Sequence, residues 1–91
     1  MDLHEFLSAH HPLVLREYQM YERRDKPPAV GSIVATLFSM FAGALPRNTQ
    51  AHVIGYLDHR IRLQDRETGF EFTVSKEFWW QEVYIVEEES K

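Results

Sequence analysis

Three histidines fall within the first eleven residues, His4, His10 and His11, and the run His4-Glu5-Phe6-Leu7-Ser8 begins like a zinc-protease signature. That chemistry needs a second imidazole one helical turn on, so that two nitrogens meet one metal beside the glutamate base. Position 8 is serine, and the motif fails. His4 and His11 can share a helical face, but no third ligand stands with them, and a polar helix edge accounts for both. His52 and His59 fall near strand ends. No metal site and no cofactor are expected.

Covalent catalysis needs a nucleophile, a nearby base and a group that orients the base. Ser32, Ser39 and Ser75 sit in no such setting. Four glycines (Gly31, Gly43, Gly55 and Gly69) are scattered, so no glycine-rich loop cradles a phosphate. Asp65 and Glu67 pair two carboxylates, but in a solvated hairpin loop. A chain of 91 residues has little wall for an enclosed active site. The expectation is a protein that is not an enzyme.

Residues suited to binding are easier to find. Trp79 and Trp80 stand side by side, with Tyr84 close behind and Tyr18 and Tyr21 in the N-terminal part. Aromatic side chains of this kind anchor protein interfaces. Neighbouring residues point in different directions, so one tryptophan packs in a core corner. The other either covers the N-terminal helices or stands out as an anchor. Arg47, Arg60, Arg62 and Arg66, with Tyr56 among them, suggest an alternative, a basic face for a nucleic-acid backbone. The net charge of −4 disfavours it. Arg60 and Arg62 equally suit a strand edge that must resist aggregation. A protein partner is therefore the expectation, with homo-oligomerisation left open.

These residues need elements to hold them. The chain divides at Asp25-Lys26-Pro27-Pro28, where two prolines bias their predecessors away from helix. Residues 1–28 read as a helical arm and linker. Asp2 can cap a short helix bearing Leu3, Phe6 and Leu7. Pro12 can open a second, running to about Arg24, with Leu13, Val14, Tyr18, Met20 and Tyr21 on its apolar face.

Residues 29–91 read as strands with an acidic end, Glu87-Glu88-Glu89. The clearest signal is residues 60–74, where Ile61 and Leu63 alternate with polar residues, as do Phe70, Phe72 and Val74. Between these rows lies Arg66-Glu67-Thr68-Gly69, a hairpin loop in which glycine can supply positive φ. The register that opposes Leu63 to Phe72 and Ile61 to Val74 puts both rows on one face. Arg62 then lies diagonal to Glu71. Residues 51–57 predict the preceding strand, with Gly55 marking a bulge or sharp bend, and residues 83–86 the last. Ser75 can cap one helical turn through Trp80. Residues 30–37 suit a first strand, but residues 32–45 are apolar throughout and also fit a helix.

Residues 29–45 carry no charge, yet two glycines, two serines and a threonine dilute the run and prolines fence it. A buried strand and turn are expected there rather than a membrane span. The first residues, Met-Asp-Leu-His-Glu, show no secretory pattern. With no cysteine in the chain, a cytoplasmic setting is the expectation.

The order of strand, long loop, meander, single turn and closing strand resembles an SH3-like small β-barrel. "VGSIV" is similar to its opening strand, "RIRLQDRETGFEFTVS" to its central hairpin and "SKEFWWQEVYIV" to its helical turn and last strand. The likeness covers residues 30–86. It implies an α+β fold, a small antiparallel SH3-like barrel or strongly bent sheet preceded by two short N-terminal helices. It also implies a small bacterial or phage accessory protein, an adaptor, inhibitor or assembly subunit. The peptide-binding "ALYDY" element of signalling SH3 domains is missing.

Overall fold

The computed structural model describes residues 23–89. Its central hairpin forms where the alternation demands it. Strands β3 (Arg60–Asp65) and β4 (Glu71–Ser75) pair antiparallel with Leu63 opposite Phe72 and Ile61 opposite Val74. All four of these side chains are buried, which a slip of one residue would undo. Gly69, at φ 77°, closes the loop, and its N–H donates to Asp65 O at 3.0 Å.

Upstream, β2 (Gln50–Leu57) pairs with β3 and shifts register between Val53 and Gly55. A residue without Cβ lets the strand bend there. The uncharged run 29–45 then resolves into β1 (Ile33–Thr36) and a long loop, 37–49, holding a 3-10 turn at Phe41–Gly43. Within β1 the β-branched residues Ile33, Val34 and Thr36 favour a strand. The last strand, β5 (Val83–Glu87), returns to pair with β1, with Val34 opposite Ile85 and Ala35 opposite Tyr84. The sheet order is β4-β3-β2-β1-β5, antiparallel throughout.

One face of this sheet carries the main core, including Val34, Val53, Ile61, Leu63, Val74, Trp79 and Ile85. Trp79 is inserted by a 3-10 turn, Trp79–Gln81, between β4 and β5. Ser75 Oγ accepts the N–H of Phe78 at 3.1 Å and so closes the bend and turn that lead into it, while the 3-10 turn itself has Phe78 at its N-cap and no side-chain cap. Two buried hydroxyls pin the connections. Thr36 Oγ1 donates to Pro46 O and accepts from the N–H of Thr49, each at 3.0 Å. Ser32 Oγ accepts the N–H of Glu89 at 3.0 Å.

The α+β expectation is corrected here. Among the described residues the fold is a five-stranded antiparallel sheet with 3-10 turns and no α-helix. The helical periodicity that suggested α+β lies almost wholly in residues 2–22, outside the described residues. Residues 23–24, given to the end of the second helix, form a bend and turn instead. The Trp79–Gln81 turn is too short to nucleate an α-helix. At Phe41–Gly43 the backbone is left-handed, which forbids one. Among the described residues β4 and β5 are the sheet's two edges and do not pair, so the sheet is open rather than a closed barrel.

Candidate functional site

The tandem tryptophans take different places. Trp79 is fully buried in the core, and its indole Nε1–H donates to Arg24 O at 3.3 Å. Trp80 is half-buried, with the Arg24 guanidinium 4.9 Å from its ring centroid. Beside them Arg23 forks onto the Glu88 carboxylate, Nη2 lying 2.7 Å from Oε1. The Tyr56 hydroxyl donates to Pro28 O. Both tryptophans thus fasten residues 23–28 to the sheet. Trp79 presents no surface to a partner, and Tyr84 is only 7% exposed. Burial pushes the Tyr84 phenol above its ordinary pKa, with the Arg47 charge opposing the shift. Tyr18 and Tyr21 lie outside the described residues, as do His4 and His11.

The arginines separate into two groups. In β4 the backbone groups of Phe72 and Val74 face β3, because the hairpin is bracketed by Asp65 N–H to Phe70 O and Lys76 N–H to His59 O. Glu71, Thr73 and Ser75 therefore turn theirs outward. Arg60 Nη2 donates to Thr73 O at 3.0 Å, and Glu82 Oε2 accepts the N–H of Ser75 at 3.2 Å. These two side chains blunt the edge. Arg62 pairs with Glu71 at 2.9 Å on the outer face. The Tyr56 ring has Lys76 Nζ 5.2 Å from its centroid. So Arg60, Arg62 and Tyr56 are engaged within the fold.

Arg47 and Arg66 meet elsewhere, at the end of the sheet where the 37–49 loop approaches the β3–β4 hairpin. They line an open cleft of about 740 Å³ with Asn48, Thr49, Asp65 and Glu67. The hairpin side is firmly placed. The N–H of Arg66 donates to Gln50 O at 3.1 Å, and its Nη1 to Gln50 Oε1 at 2.6 Å. Asp65 Oδ1 accepts the N–H of Glu67 at 2.9 Å. That bond, helped by Thr68 and opposed by burial, holds the Asp65 carboxyl below its usual pKa.

The same two loops display three phenylalanines. Phe41 meets Phe70 and Phe72 edge-on, at 5.6 and 6.0 Å between ring centroids, and Phe70 stacks on Phe72 at 6.2 Å. Phe72 belongs to the core, but Phe41 is 53% and Phe70 45% exposed, and Phe38 in the same loop is 55% exposed. Met40 and Leu45 bridge the base of the loop, and its tip turns through φ 54° at Phe41, 55° at Ala42 and 92° at Gly43. A left-handed backbone at Phe and Ala costs roughly 1–2 kcal/mol each. Strain of that kind recurs where a side chain must be aimed. Sequence reasoning placed Phe70 in the inward row and passed over Phe38 and Phe41. Their only signal was aromatic residues beside Gly43 in a run with no clear period.

Comparison with protein-family models, with curated proteins and with solved structures finds no match for this chain. Among the described residues no helix is long and apolar enough to cross a membrane, and no group of three metal-ligating side chains gathers.

Proposed function

We propose that this chain is a non-catalytic protein-interaction module, an adaptor, inhibitor or assembly subunit, that contacts its partner through the Phe41–Phe70 end of the sheet. The observation that carries the reading is the exposure of both rings, Phe41 on a strained loop tip and Phe70 edge-on to it from the β3–β4 hairpin. Hydrophobic rings displayed together on a small domain mark interaction surfaces. Of the described residues expected as anchors, Trp80 keeps some exposure. A cytoplasmic setting, supported by the lack of cysteine, and a bacterial or phage origin belong to the same proposal. So does kinship with SH3-like domains, which the order β4-β3-β2-β1-β5 and the 3-10 turn before the last strand support. The nucleic-acid alternative has less behind it, because two of its four arginines and its tyrosine are engaged inside the fold.

The test is affinity capture from the source cell, wild type beside a Phe41→Ser, Phe70→Ser double variant that melts cooperatively. A stoichiometric protein bound by wild type and lost by the variant is the expected result. Recovery of the same protein by both, or of none by either, sinks the proposal.

A further inference from the structure

The cleft built by the same two loops that carry Phe41 and Phe70 is charged in a particular way. Two ion pairs, Arg23 with Glu88 and Arg62 with Glu71, account for the arginine–carboxylate contacts among the described residues. Arg47 and Arg66 take part in neither. Asp65 turns its carboxylate to the backbone of the hairpin loop. Gln50 orients the Arg66 guanidinium through a neutral oxygen and leaves its charge uncompensated. Arg47 and Arg66 therefore both line a cleft whose polar walls, Asn48 and Thr49, add further hydrogen-bonding groups. A guanidinium fork matches a carboxylate in shape as well as charge.

We propose that this end of the sheet binds an acidic peptide segment of the partner, its carboxylates held by Arg47 and Arg66 and a neighbouring aromatic or aliphatic side chain seated on Phe41 and Phe70. The inference rests on the interaction reading above and names the partner's chemistry. A polynucleotide fits the same surface less well. It needs a track of cations along its backbone, whereas this cleft offers two arginines, has Asp65 and Glu67 in its wall and belongs to a chain of net charge −4. A peptide needs only one or two carboxylates beside an apolar residue.

A random peptide library displayed on phage is selected on wild type and counter-selected on an Arg47→Gln, Arg66→Gln double variant. Enriched peptides are expected to carry Asp or Glu within a few positions of Phe, Leu or Trp. A labelled synthetic copy of the consensus should bind wild type and lose about tenfold on the double variant, equivalent to about 1.4 kcal/mol. Phe70→Ser should weaken it by a similar factor, and added salt should weaken it on wild type. Arg47→Gln alone serves where the double variant fails its melt check. Enrichment without acidic residues, equal binding to the variants, or displacement of the peptide by oligothymidylate overturns the proposal. Were a Phe41- and Phe70-dependent protein still captured from cells, the interaction reading would stand and only the acidic-peptide inference would fall. No enriched peptide together with no captured protein removes both.

Discussion

Replacing each tryptophan of the tandem pair separately should give very different costs. Trp79 is fully buried among Val34, Ile61, Leu63 and Ile85, and its indole N–H reaches the Arg24 carbonyl. Truncation to alanine empties the largest fully buried side-chain volume among the described residues. Core Trp→Ala changes cost about 3–5 kcal/mol, the transfer term plus the cavity that remains. A chain of this length has a total stability of about 5–10 kcal/mol, so Trp79→Ala should stand at the edge of unfolding at 25 °C. Trp79→Phe keeps most of the volume but leaves the Arg24 carbonyl without its donor, at about 2 kcal/mol. Trp80 is half-buried under the Arg24 guanidinium. Its truncation removes a cation–π contact worth about 0.5–1 kcal/mol and a similar amount of packing, so about 1–2 kcal/mol. Each kcal/mol lowers Tm by about 4–8 °C in a domain of this size. Urea titration followed by far-UV circular dichroism measures all three without relying on the fluorophore that is removed. If Trp80→Ala costs as much as Trp79→Ala, with equal m-values, the placement of the two rings described above is refuted.

Further outcomes follow from the loops and edges. Ala42→Gly should stabilise by about 0.5–1 kcal/mol, since relief of the left-handed backbone outweighs the entropy glycine adds to the unfolded chain. Gly43→Ala should cost about 1 kcal/mol through φ alone, because an added Cβ there meets nothing within 4 Å; thermal melts of the pair read opposite signs, and like signs would refute the strain. Asp65 is held below its unfolded pKa, so its stabilisation is present above about pH 4 and is lost as pH falls through the folded value. Asp65→Asn should therefore flatten the acid limb of stability against pH, and an unchanged limb would contradict the assignment. Arg62→Ala should change stability by less than about 1 kcal/mol, because both partners of its ion pair are about half exposed. Arg60→Ala should instead raise the rate of aggregation on prolonged incubation, read by light scattering, since it uncovers Thr73 O at the β4 edge.

The register of the hairpin was legible in the sequence. Two apolar rows of period 2 around a glycine-closed loop admit one register, and Leu63 meets Phe72 in it. The register shift at Gly55 was legible for a similarly local reason, whereas the cap expected at Ser75 falls one turn early, the 3-10 turn beginning only after Phe78. The loop of residues 37–49 was not, because an unbroken apolar run has no period to read. Its shape comes from contacts distant in sequence, such as Thr36 Oγ1 to Pro46 O. The grip of Arg23 and Arg24 on Glu88 and Trp80 joins residues more than fifty positions apart and left no local trace. The arginines were visible as a set, but their division required the β4 edge, where Arg60 is used, and the cleft, which Arg47 and Arg66 line from two different loops.

The pairing of β1 with β5 also governs how the domain is born. Roughly 50 residues separate these partners along the chain, a wait of several seconds at synthesis rates of about 5–20 residues per second. In that interval β1 can zip to β2, and the β2–β3–β4 meander can form from contacts close in sequence. The other side of β1 stays vacant, and so does the core position that Trp79 will fill. On a crowded polysome the vacancy can accept β5 from a neighbouring nascent chain as well as from its own. The same four strand pairings would then be satisfied in an exchanged dimer, reached without any new contact and trapped by the unfolding needed to undo it.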